Sequence, residues 1–245
     1  MLRPRRQPLM PPLPTSAPAA VPGRPAGPLP LASLLRQWGL PPVAPQPLAR
    51  QLGDPLAWAD AIQLSQVLAT PRHEVGDAAS RRRALDWAEA ALERLQSELA
   101  AGFHDELLAR ESAQPLADHA PPLADLLTSY RLHLSQQQRQ IAGRVTGLRE
   151  RLRAHLAGAS APLARLAALD AVLERTLAAQ ERSALAGLAT LLARRAQAHE
   201  RDTPRHWPAR LWADLQQLLQ AELELRLQPA LGLMDALRQA VAADD

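Results

Sequence analysis

From residue 77 onward, apolar side chains recur at three- and four-residue intervals, the spacing that places them on one face of an α-helix. The first such stretch opens at Asp77 and runs to about residue 110 on Leu85, Ala88, Leu92, Leu95, Leu99 and Phe103. Pro121-Pro122 begins the second, whose stripe is Leu127, Tyr130, Leu134, Ile141, Val145, Leu148 and Leu152. Gly158 and Pro162 separate it from a third, built on Leu166, Leu169, Leu173, Leu177, Ala184, Leu188 and Leu191. After Pro204 and Pro208 a fourth follows on Leu211, Leu215, Leu218 and Leu225, with a kink expected at Pro229. Segments of roughly 35 residues are about 50 Å long at ~1.5 Å per residue. The pattern therefore predicts an all-α, elongated bundle of about four long helices. No alternating strand pattern or hairpin turn signal interrupts it.

Upstream the pattern changes. A short helix is predicted through Leu31, Leu34, Leu35 and Trp38, stopped by Gly39 and Pro41-Pro42. Asp54 followed by Pro55 reads as an N-cap and first-turn proline opening a helix over residues 56–69. Asp60 is its one charged side chain, and Leu56, Trp58, Ile62, Leu64, Val67 and Leu68 point in different directions, so the helix is expected to be buried on most sides. Fourteen of the 23 prolines fall within residues 1–47. Residues 1–30 are accordingly expected to be a disordered Pro/Arg-rich tail, and residues 31–245 one helical bundle domain. Pairs such as Pro8 and Pro11 have the PxxP spacing of ligands for aromatic grooves, but a solvated linker is the preferred reading. The tail has arginines near its start and no continuous apolar run, so neither a secretory signal nor a membrane anchor is expected, and the expected location is the cytoplasm.

Composition removes several kinds of chemistry. With no cysteine there is no disulfide framework, thiol nucleophile or zinc knuckle; with no lysine there is no Walker-type phosphate loop or Schiff base. The seven histidines, at 73, 104, 119, 133, 155, 199 and 206, show no metal-binding spacing and are expected at exposed helix positions. His104-Asp105 has the form of the HD phosphohydrolase doublet, without the further His and Asp that chemistry requires. There is no GxSxG, GxGxxG or paired-carboxylate site, so no catalytic residue, metal or cofactor is assigned.

Charge is distributed unevenly. Residues 1–53 carry six arginines and no acid, whereas residues 54–245 carry 22 arginines against 25 acids, a net of −3. The second long segment is the exception, because Arg131, Arg139, Arg144, Arg149, Arg151 and Arg153 face only Asp125 and Glu150. On a helical projection Arg131, Arg139, Arg149 and Arg153 share one flank of the apolar stripe, where long basic side chains pack their stems and pair with a neighbouring helix. Residues 77–114 and 207–245 each carry a net −3 and are the expected partners. This flank is the candidate interaction face, through pairing within the bundle or with another protein or copy. Nucleic-acid contact is the alternative and less favoured reading, since only seven aromatic residues exist to stack on bases. Two carboxylates within apolar stripes raise a separate question. Asp60 either faces solvent or pairs with a bundle arginine, while Asp170, beside Leu166, Leu169 and Leu173, is expected at an exposed or edge position.

Two stretches carry a resemblance. Trp58-Ala59-Asp60-Ala61-Ile62-Gln63-Leu64-Ser65 and the later run Leu163-Ala164-Arg165-Leu166-Ala167-Ala168-Leu169-Asp170-Ala171-Val172-Leu173-Glu174, continuing to Glu181-Arg182, occur here in the order found in an uncharacterised family of helical proteobacterial proteins. The chain resembles that family over roughly residues 50–200. Its members are encoded beside MotA-like and MotB-like inner-membrane motor proteins, as in type III Zorya anti-phage defence systems. The resemblance implies a non-enzymatic cytoplasmic accessory protein working with an ion-driven membrane motor complex, whose partners are motor components or a second accessory protein. It brings no catalytic residues with it.

Overall fold

The computed structural model describes residues 30–40, 65–66, 76–117 and 119–244. The tail before Pro30 lies outside the described residues, as do Trp58, Asp60, Ile62 and the rest of the 56–69 segment apart from Ser65 and Gln66, which are helical and exposed.

The described residues are all-α, with no strand among them. Helix α1 (Leu31–Gln37) stops where the sequence predicts. Gly39 takes φ +83°, its N–H donates to the Arg36 carbonyl at 2.9 Å, and the Leu40 N–H donates to the Leu35 carbonyl at 3.0 Å. This is a Schellman termination, and its left-handed residue is what requires glycine.

Asp77 caps α2 (Ala78–Phe103) by accepting from the Ser80 N–H at 2.7 Å. The run expected to reach residue 110 breaks earlier, because His104 and Asp105 both adopt extended backbone. The Asp105 carboxylate then caps α3 (Glu106–Ala113) by accepting from the Leu108 N–H at 2.9 Å. Apolar spacing alone does not register such a stop and restart; the aspartate that competes for the backbone N–H groups does.

Helix α4 (Leu123–Ala157) matches its predicted segment almost residue for residue, and Ser160 with Pro162 opens α5 (Ala161–Ala186). The third predicted segment is divided at Gly187, after which α6 (Leu188–Asp202) continues. The last helix, α7 (Trp207–Ala242), is 36 residues long and runs through Pro229 without a break.

Helix α7 packs against each of the other six described helices. Its sequence explains why. Leu211, Leu215, Leu218, Leu219, Leu223 and Leu227 are at most 1% exposed and spread around much of the cylinder, as expected of a helix surrounded by others. Each such leucine contributes about 1.5–3 kcal/mol relative to exposure. Helix α4, with Tyr130, Leu134, Ile141, Leu148 and Leu152 turned inward, lies along α7 and makes the other long wall of the core. Two helices of 35 and 36 residues, about 50 Å each, set the length of the bundle. No helix among the described residues is long and apolar enough to cross a membrane.

One end of the bundle is clasped. The Gly76 N–H donates to the Gly158 carbonyl at 3.1 Å, and a Cβ on Gly76 would lie 2.7 Å from that oxygen, so only glycine permits the approach. Arg81 donates to the Ala159 carbonyl at 3.1 Å and to the Gly76 carbonyl, and holds Asp244 bidentately at 2.6 and 2.7 Å. The start of α2, the α4–α5 turn and the end of α7 are thereby tied together.

Candidate interaction surface

The four candidate arginines of α4 divide into two pairs. Arg149 and Arg153, one turn apart, meet Asp170 and Glu174, one turn apart on α5. Arg149 donates to Asp170 through Nε at 2.8 Å and Nη2 at 2.6 Å, a bidentate contact, and reaches Glu174 at 3.5 Å. Arg153 Nη1 donates to Asp170 Oδ2 at 2.9 Å and to Glu174 Oε2 at 2.7 Å. Burial pulls the Arg153 guanidinium down, but its hydrogen bonds to Asp170 and Glu174 outweigh that and hold its pKa above the ordinary value. Arg131 and Arg139 are exposed and make no ion pair among the described residues.

Two expectations are corrected here. Asp170 is buried, not at an exposed edge, because two arginines one helical turn apart can share its oxygens and offset its desolvation. The acids that meet Arg149 and Arg153 belong to α5, whereas among the described residues Arg144 is the one α4 arginine that pairs with an acid of residues 77–114, Glu98.

The expectation of exposed histidines also fails at two positions. His133 is buried with Nε2 3.0 Å from the Phe103 carbonyl, and Gln216 Nε2 donates to the same oxygen at 2.7 Å. That oxygen lies at the C-terminal end of α2, which leaves carbonyls without helical partners, so the two side chains complete it. His199 is buried beside Asp214, whose Oδ2 lies 2.8 Å from His199 Nε2 and accepts from Arg195 Nε at 2.8 Å. The Arg195 guanidinium also lies 5.1 Å above the Trp38 ring, joining the end of α1 to α6 and α7.

The most deeply buried charge is Glu222, fully enclosed on α7. It accepts from Gln138 Nε2 at 2.8 Å and from Arg226 Nε at 2.9 Å, while Arg226 also pairs with Glu181 of α5. Asp214 and Glu222 are not singled out by the sequence as Asp60 is in the 56–69 segment, because α7 also carries Arg210, Glu224, Arg226, Asp235 and Arg238.

An apolar groove of about 600 Å³ opens between α1, α4, α5 and α7 at the level of these ion pairs. Leu31, Val145, Leu177, Leu185, Leu225 and Pro229 line it. Pro229 has no N–H for the Leu225 carbonyl, and Leu225 is 46% exposed, so this stretch of α7 presents apolar surface and an acceptor without its usual helical donor. Arg149 with Glu174 and Arg226 with Glu181 also border the groove, and each of these charges is paired. Arg182 also lines it, and with Arg139 lines a shallower extension of about 400 Å³; neither arginine has an ion-pair partner among the described residues. Among the described residues no group of three or more His, Asp or Glu is placed to hold a metal ion. His104 is exposed and Asp105 is committed to capping α3.

No curated protein and no solved structure matches the chain. A family model does match it, over residues 31–239, a span that begins with α1 and ends three residues before the end of α7. The chain belongs to the family described as Protein of unknown function (DUF3348).

Proposed function

We propose that this chain is a non-enzymatic interaction protein that receives an amphipathic helix of a protein partner in the groove between α1, α4, α5 and α7. The observation that carries the reading is the groove's division of character: an apolar bed beside two cations, Arg139 and Arg182, that have no ion-pair partner among the described residues. An occupant of matching chemistry carries leucine-like residues at i, i+3, i+4 and i+7 and acids along one edge. Electrostatic matching at the rim would set orientation and on-rate, and burial of the apolar stripe would supply most of the affinity. In keeping with the resemblance carried by the 58–65 and 163–182 stretches, the partner belongs to an ion-driven MotA/MotB-like membrane motor assembly or is a second accessory protein of it. The chain then acts from the cytoplasm in anti-phage defence.

The test is co-expression with MotA-like and MotB-like proteins of the kind encoded beside members of the family it resembles, followed by affinity purification. Leu225→Glu and Arg182→Glu alter groove residues that are exposed, so both variants are expected to melt as the parent does. Both should lose the motor proteins on purification. Retention by both variants, or no association of the parent, rejects the reading. Contact with nucleic acid through Arg131 and Arg139 predicts something different: duplex DNA affinity falling with log salt by about 0.9 per neutralised phosphate, and a flatter slope after Arg131→Glu and Arg139→Glu.

A further inference from the structure

A second cavity, of about 320 Å³, lies on another side of α4, where it crosses α2. Three arginines line it: Arg94 from α2, and Arg144 and Arg151 from α4. They differ in how their charge is met. Arg94 is exposed and has no hydrogen bond or ion pair among the described residues. Arg151 donates to the Gly147 carbonyl of its own helix and lies 5.7 Å from the Trp87 ring centroid, and no carboxylate pairs with it among the described residues. Arg144 pairs with Glu98, at a site where both side chains are more than 40% exposed. The cavity therefore holds three guanidinium groups against one carboxylate, and that carboxylate can swing into solvent.

Its floor is unusual for a helix. Gly143 and Gly147, one turn apart, line the cavity, and a Cβ on either would meet nothing within 4 Å. Glycine in a helix interior is the least favourable residue after proline. Neither glycine is required by the packing of this chain, and their combined effect is to leave the α4 backbone bare between the arginines. Trp87, held by the His155 ring at 4.4 Å, closes one side.

We propose that this cleft binds a small phosphorylated molecule carrying at least two negative charges, with Arg94, Arg144 and Arg151 as its ligands. Guanidinium forks suit phosphate oxygens, three of them match a diphosphate or triphosphate in charge, and the volume is within the range of small-molecule sites. On binding, Arg144 exchanges Glu98 for the ligand. The inference is independent of the protein-docking groove, since the two cavities share no lining residue.

The experiment is calorimetric titration of the full chain with sodium pyrophosphate and sodium tripolyphosphate, at low and at physiological ionic strength. Saturable one-site binding is expected, tighter for tripolyphosphate. Arg94→Gln and Arg151→Gln should each weaken it at least tenfold, and Arg131→Gln, at another exposed arginine of α4 outside the cleft, should leave it unchanged. Glu98→Gln should tighten it by freeing Arg144. Gly147→Leu fills the floor while favouring the helix, so it should abolish binding with a melting temperature at or above that of the parent. Absence of saturable binding, equal weakening by Arg131→Gln and Arg94→Gln, or parental affinity in Gly147→Leu overturns the proposal.

Discussion

Replacing Asp170 by alanine removes the acceptor of three charged hydrogen bonds, two from Arg149 and one from Arg153. The side chains concerned are only 10–14% exposed, so water does little to replace what is lost. Glu174 remains, at 3.5 Å from Arg149 and 2.7 Å from Arg153, and is itself 24% exposed. Breaking a buried ion pair by removing one partner costs about 3–5 kcal/mol, because the other charge is left desolvated. Here one carboxylate still serves two cations, which places the loss near the lower end, about 3 kcal/mol. At about 2–4 °C per kcal/mol for chains of 150–250 residues, the melting temperature should fall by about 6–12 °C. Thermal melts followed by circular dichroism at the helical band measure this directly. Arg149→Ala and the Asp170→Ala/Arg149→Ala double variant complete a cycle, in which the two losses should be less than additive by about 1–3 kcal/mol. A loss below about 1 kcal/mol, or strict additivity, refutes the argument that the cluster is a coupled interior network. If the network acts mainly as a register device, replacing all four members by apolar residues of similar volume should be near neutral in stability.

Two further outcomes follow from the clasp at the bundle's end. Gly76→Ala would bring a Cβ to 2.7 Å from the Gly158 carbonyl oxygen, a backbone atom that cannot rotate away, and should cost about 1–3 kcal/mol in denaturant unfolding, whereas Gly143→Ala, which meets nothing, should be neutral or stabilising. Hydrogen bonds from Ser80 hold the Asp77 carboxyl below its ordinary value of 3.8, and the hydrogen bond from Arg81 does the same for Asp244. A depressed folded pKa means that the unfolded chain binds the proton first. The stability both groups contribute is therefore complete above the ordinary carboxylate value and is lost as pH falls through the folded values. Denaturation midpoints measured downward from about pH 5 should show a shallower decline in Asp244→Asn than in the parent; identical slopes would dissociate Asp244 from the acid limb.

How much of this was legible in the sequence depended on what the signal recorded. Periodicity found α4 to within a residue or two because Pro121-Pro122 and Gly158 bracket an uninterrupted stripe. It overran at His104-Asp105 and at Gly187, since the apolar spacing continues across both while the backbone does not. The burial of Asp170 was hidden for a different reason. A carboxylate beside a leucine stripe is expensive to bury alone, and whether it is alone depends on which helix packs there. His199, Asp214 and Glu222 were missed in the same way, as three interior polar groups whose partners lie at least 15 positions distant in sequence apart from the neighbouring Arg195 and Arg226. The groove was not legible at all, because it is assembled from four separate helices and the start of a fifth.

The arginines of α4 show where charge counting succeeds and where it stops. A segment with a net charge of +4 in a bundle must meet acids from its neighbours or keep its excess on the surface, and both happen. Arg149 and Arg153 meet α5, Arg144 meets α2, and Arg151 rests on Trp87. Net charge correctly requires partners without saying which, and it pointed to the acidic excess of residues 77–114 and 207–245 although the pairing of Arg149 and Arg153 is local to the α4–α5 hairpin. That hairpin places residues of two successive antiparallel helices about 20 positions apart side by side, so two acids spaced by four on one helix can meet two arginines spaced by four on the other. Arg94, Arg139 and Arg182 make no ion pair among the described residues. Arg139 and Arg182 border the apolar groove, and Arg94 borders the glycine-floored cleft. An arginine that makes no hydrogen bond or ion pair among the described residues and lines a cavity is where a charge-reversal experiment separates binding from folding, because no pair among those residues is lost when the charge is changed.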